Sequence, residues 1–265
     1  METRTVKPVK ADNYTIFFVG AGPGDPELLT IKGRKALEEA GLVLYAGSLV
    51  NPLILDFCGQ GCVKADSSGL TLEEQTDLMA DAAGRGLKVV RLHTGDPSLF
   101  GAVAEQKKLL EDRGLAVRFI PGVSSLQAAA ASLGIQYTVP GGSQTVICTR
   151  RKGRTPVPPK EDIRLLAASG ATMVIFLSTD QAEAAAADLM AGGFSPDAPA
   201  ACVYRASWED EKIIRSPLEG LPALMKEAGI ARHALIIAGE CLGEGGERSL
   251  LYSPHFSHGF REGAE

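Results

Sequence analysis

The sequence contains no long hydrophobic run. Its apolar stretches, such as residues 171–177 and 234–238, fall far short of the roughly 20 residues that a membrane-spanning helix needs. The basic residues Arg4, Lys7 and Lys10 precede an apolar stretch that is too short for a signal peptide. We therefore expect no membrane span, no cleaved leader and a frayed tail before the first strand.

Cysteine and positive charge are also limited. The five cysteines are odd in number, and Cys58 and Cys62 are separated by three residues rather than by the two of the usual redox or zinc pair. This cysteine pattern predicts reduced thiols and a cytoplasmic location. His255 and His258 belong to no ligand motif, so we also expect no metal site. The net charge of −5 argues against a general attraction to nucleic acid, so local cations must bind any anionic ligand.

What the sequence does contain is the composition of a globular protein. Its 265 residues are 45% hydrophobic and 22% charged, which is enough for two α/β domains. Strands and helices alternate in the first half, with predicted strands at 15–19, 42–45, 88–92 and 116–120 and predicted helices at 30–40, 71–83, 98–113 and 124–133. This order predicts a mainly parallel sheet covered on both faces. Thr30 and Thr71 are the predicted helix caps.

A second domain is predicted to begin where this pattern is interrupted. Residues 139–142 (VPGG) break the periodicity, so we place the two domains at residues 14–138 and 143–252. Further strands are predicted at 144–149, 172–177, 200–204, 212–215 and 234–238, with helices at 161–168, 181–190 and 218–227. The short connection around residues 208–210 favours an antiparallel pair, so this second sheet is predicted to be mixed.

The loop after the first strand is rich in glycine. Residues 20–26 (GAGPGDP) stand where a dinucleotide-binding loop would lie. The dinucleotide fingerprint requires a third glycine, where this sequence has Asp25, and an acidic residue after the second strand, where it has Leu44 and Tyr45. The loop is therefore either a ligand site of another kind or an ordinary turn.

Two further loops follow strands in the same way. Residues 93–97 (HTGDP) and 121–125 (PGVSS) come at the sheet edge where open α/β proteins bind ligands. Thr94 and Asp96 are candidates to hydrogen-bond a polar ligand, and Pro97 is predicted to start the next helix. Neither loop contains the Gly-x-Ser-x-Gly motif, which disfavours a serine hydrolase.

A basic loop follows the first strand of the second domain. Residues 150–159 (RRKGRTPVPP) place four cations, Arg150, Arg151, Lys152 and Arg154, within five residues of a net-acidic chain. Guanidinium groups bind carboxylates and phosphates in a bidentate manner, so the loop is a candidate clamp for several such groups. The alternative is a solvated surface loop.

Together these motifs resemble the tetrapyrrole methylase family. The similarity is carried by residues 20–30 (GAGPGDPELLT), 94–97 (TGDP), 121–125 (PGVSS) and 204–207 (YRAS), in that order along the chain. It extends over about residues 15–239. Within the family, residues 44–50 (LYAGSLV) and 153–158 (GRTPVP) resemble the precorrin-4 C(11)-methyltransferases of cobalamin biosynthesis.

The resemblance implies a fold, an activity and a set of site residues. It implies two α/β domains with S-adenosylmethionine in the cleft between them, a homodimer, and methyl transfer to ring carbon 11 of precorrin-4 or cobalt-precorrin-4. Carried over by position, the cofactor contacts are Pro23, Thr94, Gly95, Asp96, Ser124, Ser125, Leu177, Ala206 and Ala234. The four cations of the basic loop would bind the carboxylate arms of the ring, and Asp25 is a candidate to assist proton loss.

Other interpretations remain open at this point. Methylases of other tetrapyrrole positions, of the uroporphyrinogen-III or precorrin-3 type, share the fold, as do methylases of RNA or protein. The acidic charge of the chain does not suit RNA. A nucleotide-binding oxidoreductase conflicts with Asp25 in the first loop. A non-catalytic tetrapyrrole carrier would have no need of the three strand-end loops.

Overall fold

The computed structural model describes residues 15–243 and 247–263. The chain divides into two compact units, residues 1–125 (unit 1) and residues 126–265 (unit 2). The predicted change of domain at residues 139–142 comes later in the chain than this division. The basic segment with Arg4, Lys7 and Lys10 lies outside the described residues.

Unit 1 is built around a five-stranded sheet. Its strands are β1 (Thr15–Gly20), β2 (Leu42–Tyr45), β3 (Val63–Asp66), β4 (Val89–His93) and β5 (Ala116–Ile120), and its helices are α1 (Ile31–Glu38), α2 (Leu72–Gly84) and α3 (Val103–Glu111). The strand order is β3-β2-β4-β1-β5, and every pairing is parallel. This confirms the predicted parallel sheet.

Alternate residues of the strands bury against helices on opposite faces of this sheet. On one face Ile16 and Phe18 of β1 belong to the same buried cluster as Met79 of α2. On the other face Val19 of β1 packs in a cluster with Leu37 of α1. Because both faces are covered, the strands are apolar on both sides, which is why they read as short continuous apolar runs.

The predicted caps of α1 and α2 are confirmed. The Thr30 hydroxyl accepts a hydrogen bond from the Gly33 N–H at 3.1 Å. The Thr71 hydroxyl accepts one from the Glu74 N–H at 3.2 Å, and the Glu74 carboxylate accepts one from the Thr71 N–H at 2.8 Å. Side chains therefore satisfy backbone donors in the first turn of both helices.

The structure of unit 1 differs from the sequence prediction at two places. Strand β3 was not predicted, because it is a four-residue strand with mostly exposed side chains. The helix predicted over residues 98–113 begins only at Val103, so Pro97 does not start it. Phe100 and Ala102 have φ of 55° and 48°, values that no right-handed helix contains, and residues 97–102 form turns instead.

Unit 2 contains a second five-stranded sheet. Its strands are β6 (Val146–Arg150), β7 (Thr172–Phe176), β8 (Pro199–Tyr204), β9 (Lys212–Pro217) and β10 (Ala234–Ala238), in the order β6-β7-β10-β8-β9. The pair β6 and β7 is parallel, and the other three pairs are antiparallel. The predicted mixed sheet is confirmed, including the antiparallel pair β8 and β9 on either side of residues 208–210.

Helices cover the second sheet. They are α5 (Ile163–Ala167), α6 (Ala182–Ala191) and α7 (Leu221–Glu227). Helix α4 (Ser125–Leu133) precedes this sheet in the chain and begins at the last residue of unit 1. Ile163, Leu189 and Met225, from α5, α6 and α7, share one buried cluster with Met173 and Ile175 of β7. All five cysteines of the sequence are free thiols. Among the described residues, no helix is long and apolar enough to cross a bilayer.

Candidate functional site

The first candidate site lies at the carboxyl ends of three neighbouring parallel strands of unit 1. Strands β4, β1 and β5 are adjacent, and the three motif-bearing loops follow them. The Gly22 N–H donates to the Gly95 carbonyl at 3.2 Å, and the Gly95 N–H donates to the Gly22 carbonyl at 2.9 Å. The Ala21 N–H also donates to the His93 carbonyl at 2.7 Å. Backbone hydrogen bonds therefore join the first loop to the second.

Glycine allows these loops to pack backbone against backbone. A Cβ added to Gly20 would lie 2.6 Å from the Cα of Gly122, and one added to Gly122 would lie 2.8 Å from the Cα of Gly20. Both distances are shorter than any real Cβ tolerates. Gly95, which lies between them, has a φ of 58°, in the left-handed region that favours glycine. Gly20 and Gly122 are thus required by the close approach of the loops, and Gly95 by its backbone conformation.

Asp96 joins the second loop to the third. One carboxylate oxygen accepts hydrogen bonds from the N–H and hydroxyl of Ser98, and the other accepts one from the Gly122 N–H at 2.8 Å. Partial burial disfavours the ionised carboxylate, but these hydrogen bonds outweigh it and hold the pKa of Asp96 below its ordinary value. The carboxylate is therefore a fixed part of the loop framework.

The other residues predicted for unit 1 differ in exposure. Thr94 is exposed, Asp25 and Ser125 are half-buried, and Pro23 and Ser124 are buried. The Asp25 carboxylate accepts a hydrogen bond from the Glu27 N–H at 2.8 Å and caps a short 3-10 turn. The unit 1 residues predicted for the site are thus found in the loops at one edge of the sheet, with Ser125 at the start of α4 directly after the third loop.

Two buried ionisable side chains on β4 were not predicted. Arg91 is 5% exposed and donates to the side-chain oxygens of Gln75 and Gln106 and to the Leu44 carbonyl, at 3.1–3.2 Å. Burial, followed by the charge of Arg91, lowers the pKa of His93 to about 3, so its imidazole is neutral at neutral pH. Its Nε2 atom has no hydrogen-bond partner among the described residues.

The second candidate region lies at one end of the sheet in unit 2. Leu177 directly follows β7, Ala206 follows β8, and Ala234 begins β10. Strand β10 is antiparallel to both neighbours, and Ala234 pairs with Tyr204, so its start adjoins the ends of β7 and β8. Ala206 and Ala234 are buried, whereas the Leu177 residue is 64% exposed. The structure brings these three predicted residues to the same sheet edge.

Strained backbone is concentrated at this edge. Leu177, Arg205, Ser207 and His233 have φ of 51°, 46°, 70° and 59°, although none of them is glycine. The Arg205 N–H donates to the His233 carbonyl at 2.9 Å, which joins two of the strained residues. Each such residue costs on the order of 1 kcal/mol or more, and such strain is found most often at functional sites. The backbone therefore supports a binding role for this edge independently of any motif.

The basic loop begins where β6 ends and is held by its own first two arginines. The Arg150 guanidinium donates to the Pro156 carbonyl at 2.7 Å and so closes the loop on itself. The Arg151 guanidinium pairs with the Asp188 carboxylate at 2.7 Å and donates to the Gln181 side-chain oxygen at 2.7 Å. Two of the four predicted clamp residues thus already hold the loop in shape.

The other two cations of the loop are not held by the protein in this way. Lys152 and Arg154 are exposed, and neither forms an ion pair with a described residue. A pocket of about 520 Å³ lies beside the loop, with Arg151, Lys152, Pro158 and Arg164 among its lining residues. Its lining also includes the carboxylates of Glu161, Asp162 and Asp188. Because Asp188 pairs with Arg151 and Asp162 pairs with Arg164, Arg150 and Lys152 are the lining cations that form no ion pair with a described residue and can bind a carboxylate-bearing arm of a larger ligand.

Some residues of this region escaped the sequence analysis. Ser178, Gln181 and Asp188 contact the basic loop. Residues 178–181 (STDQ) form a polar run directly after β7, which is the same signal that identified residues 93–97, and it was available in the sequence. Asp188 gives no comparable signal, because it is an isolated acidic residue in the middle of an alanine-rich helix.

Comparison with known proteins is consistent with this geometry. Residues 15–222 match the profile of the family described as Tetrapyrrole (Corrin/Porphyrin) Methylases. The chain is 48% identical over 252 residues to the cobalt-precorrin-4 C(11)-methyltransferase of Methanocaldococcus jannaschii, covering 95% of this chain and 97% of that one.

Two solved structures extend the comparison to the fold. The X-ray structure of the cobalt-precorrin-4 methyltransferase CbiF matches with a TM-score of 0.85 and 41% identity, over 87% of this chain and 96% of that one. The uroporphyrin-III C-methyltransferase of Thermus thermophilus, complexed with S-adenosylhomocysteine, matches with a TM-score of 0.71 and 30% identity, over 88% and 96% of the two chains.

Proposed function

The chain belongs to the tetrapyrrole methylase family, and we propose that it transfers the methyl group of S-adenosylmethionine to ring carbon 11 of precorrin-4 or cobalt-precorrin-4 in cobalamin biosynthesis. The observation that carries this proposal is the similarity to a cobalt-precorrin-4 C(11)-methyltransferase along nearly the whole of both chains. The candidate sites described above supply a place for a methyl donor and a place for a polycarboxylate.

The residues at the two sheet edges fit S-adenosylmethionine. The loops of unit 1 are fixed against one another, because the backbones at Gly20 and Gly122 pack so closely that an added Cβ on either would collide with the other loop. Leu177 supplies an exposed apolar surface suited to the adenosine. The residues proposed to hold the donor are Pro23, Thr94, Gly95, Asp96, Ser124 and Ser125 of unit 1 and Leu177, Ala206 and Ala234 of unit 2. When bound, S-adenosylmethionine supplies a methyl group already activated by the sulfonium charge.

The basic loop is proposed to bind the carboxylate arms of the tetrapyrrole. Lys152 and Arg154 are exposed and contact the carboxylates directly in this proposal. Arg150 and Arg151 shape the loop, and Arg150 adds positive charge beside the same pocket. In an acidic chain this local charge provides the attraction for a polyanionic ring.

The protein's contribution to the transfer is alignment and the removal of a proton. Methylation of a ring carbon releases one proton for each methyl group transferred. Asp25 is the proposed acceptor, because its carboxylate lies in the first strand-end loop and its cap hydrogen bond to the Glu27 N–H orients it. Fixed loops that hold both reactants in register lower the barrier without a covalent intermediate.

The assembly and location of the protein are part of the same proposal. A homodimer is implied by the family resemblance. A cytoplasmic location agrees with five free thiols, since disulfides are typical of oxidising compartments.

Incubation with methyl-labelled S-adenosylmethionine and cobalt-precorrin-4 tests the activity. We expect one labelled methyl group at ring carbon 11, located by NMR, and a parallel incubation with cobalt-free precorrin-4 identifies the preferred substrate. Label at another ring carbon would assign the chain to a different methylase of the family. Tetrapyrrole binding without S-adenosylhomocysteine binding would indicate a carrier and refute the enzyme.

The variant Arg154→Ala tests the clamp. The affinity for cobalt-precorrin-4 should fall about tenfold, because one charge-assisted contact is lost, while the affinity for S-adenosylhomocysteine stays the same. Arg85→Ala, at an exposed arginine of unit 1, is the matched control. Unchanged tetrapyrrole binding in Arg154→Ala would reject this role for the loop.

A further inference from the structure

The short segment after β7, residues 177–181, contacts both the basic loop and a residue proposed to bind the donor in unit 2. It is called the β7 turn here. It begins with Leu177, an exposed leucine with a φ of 51°. A leucine in this conformation is strained, and it persists only where neighbouring contacts hold the backbone. The residues that follow provide those contacts.

Ser178 joins the backbone directly before Leu177 to the start of the basic loop. Ser178 is fully buried. Its hydroxyl donates to the Phe176 carbonyl at 2.8 Å and accepts a hydrogen bond from the Arg151 N–H at 2.8 Å. One hydroxyl therefore uses its donor on the end of β7 and an acceptor on the start of the basic loop.

Two further side chains of the β7 turn extend these links in opposite directions. The Gln181 side-chain oxygen accepts a hydrogen bond from the Arg151 guanidinium at 2.7 Å. The Thr179 hydroxyl donates to the carbonyl of Ala234 at 3.1 Å, and both groups are buried. The β7 turn thus contacts the basic loop on one side and a proposed donor-binding residue on the other.

We propose that the β7 turn is the positioning element of the transfer reaction, and that Ser178 is its central positioning residue. It sets the basic loop and the donor-contacting residues Leu177 and Ala234 in one fixed relation. The inference rests on the proposed function, which assigns these residues to the two ligands. It follows that a change at Ser178 weakens the binding of both ligands, whereas a change at the loop tip weakens the binding of the tetrapyrrole alone.

The test compares variants by separate titrations with S-adenosylhomocysteine and cobalt-precorrin-4. Ser178→Ala should raise the Kd for both probes by about tenfold, the value of one buried hydrogen bond. Arg154→Ala should raise the Kd for cobalt-precorrin-4 only. Thr172→Val is the matched control, because it removes a buried hydroxyl that donates to the Tyr137 carbonyl at the other end of β7. It should lower the unfolding midpoint and leave both Kd values unchanged.

Two milder variants keep the test decisive if Ser178→Ala does not fold. Gln181→Ala should raise the Kd for cobalt-precorrin-4 by about threefold, and Thr179→Val should raise the Kd for S-adenosylhomocysteine by about threefold, since each breaks one link. Each should leave the other probe's Kd unchanged.

The outcomes separate this inference from the proposed function. If the wild-type chain binds neither probe, the proposed function fails and the inference fails with it. If the wild-type chain binds both and the β7-turn variants behave like Thr172→Val, the inference alone is overturned. Weakening of only one probe by Ser178→Ala would also overturn it.

Discussion

The two candidate regions are positioned by different means. In unit 1, three loops are joined mainly by backbone hydrogen bonds and by the close contact of Gly20 with Gly122, and one side chain, Asp96, adds a link between the second and third loops. In unit 2, side chains do this work, since Ser178, Gln181 and Asp188 hold the basic loop through Arg151. The first arrangement tolerates almost no substitution at its glycines. The second depends on a few polar side chains that can be changed one at a time.

This difference explains which parts of the site are visible in the sequence. Close backbone packing demands glycine at particular positions, so it produces recognisable motifs such as residues 20–26 and 121–125. Side-chain support can come from any residue that places a polar group correctly. Ser178 and Asp188 therefore carry no motif even though they hold the loop. The three predictions below test whether the contrast is as large as the geometry indicates.

The largest effect is expected at the glycine contact. Gly122→Ala would place a methyl group against the backbone of Gly20 and Gly95 and should lower the free energy of unfolding by about 3 kcal/mol or more. Urea unfolding measures this. Gly69→Ala is the control, because a Cβ there meets no described atom within 4 Å, and it should change stability by less than about 1 kcal/mol. Equal stability of the two variants would contradict the backbone-packing account.

A smaller effect is expected from the side-chain support of unit 2. Asp188→Asn removes the charge that pairs with Arg151, whose side chain is only 21% exposed, and should cost about 1 to 2 kcal/mol of unfolding free energy. Lys107→Gln breaks an exposed pair with Glu111 on α3 and should cost no more than about 0.5 kcal/mol. If the two costs were the same, the Arg151–Asp188 pair would be an ordinary surface contact.

The third prediction concerns the pH dependence contributed by His93 of unit 1. Its pKa in the folded protein is about 3, below the ordinary 6.5, so between these values the unfolded chain binds more protons. The stabilising contribution of neutral His93 is complete above pH 6.5 and is lost as pH falls toward 3. It adds a slope of up to about 1.4 kcal/mol per pH unit.

His93→Phe should remove this slope, because phenylalanine has no proton to bind. Urea unfolding of the wild type and the variant between about pH 4.5 and 6 measures the difference in slope. The same slope in both proteins would mean that His93 is protonated in the folded state, contrary to its burial.

Much of the fold follows from local sequence pattern. Short apolar runs separated by capped helices identified β1, β2, β4 and β5 and the parallel arrangement of the first sheet. Strand β3 has mostly exposed side chains, so its pairing with β2 depends on backbone groups that leave no apolar pattern. Residues 97–102 lie outside the helix for two reasons. The Asp96 carboxylate accepts a hydrogen bond from the Ser98 N–H, and Phe100 and Ala102 adopt left-handed φ values.

The candidate site divides in the same way. The strand-end loops and the basic loop were located from residue types, and the structure brings the residues of each unit together at its own sheet edge. The pairing of Arg151 with Asp188 could not be foreseen, because Asp188 lies 37 positions away and only packing of α6 against the sheet places it there. The burial of Arg91 and His93 likewise depends on helices contributed from elsewhere in the chain.

By itself, the sequence of this chain determined most of the strands and helices of two α/β domains, the three glycine-bearing loops and the concentration of cations at residues 150–154. These are local properties, set by side-chain periodicity, backbone freedom and charge. Only the tertiary structure decided which of those cations are engaged by the protein, which buried groups lie beside the loops, and that a serine after β7 links them. Those properties depend on contacts between residues far apart in the chain, and local pattern carries no record of such contacts.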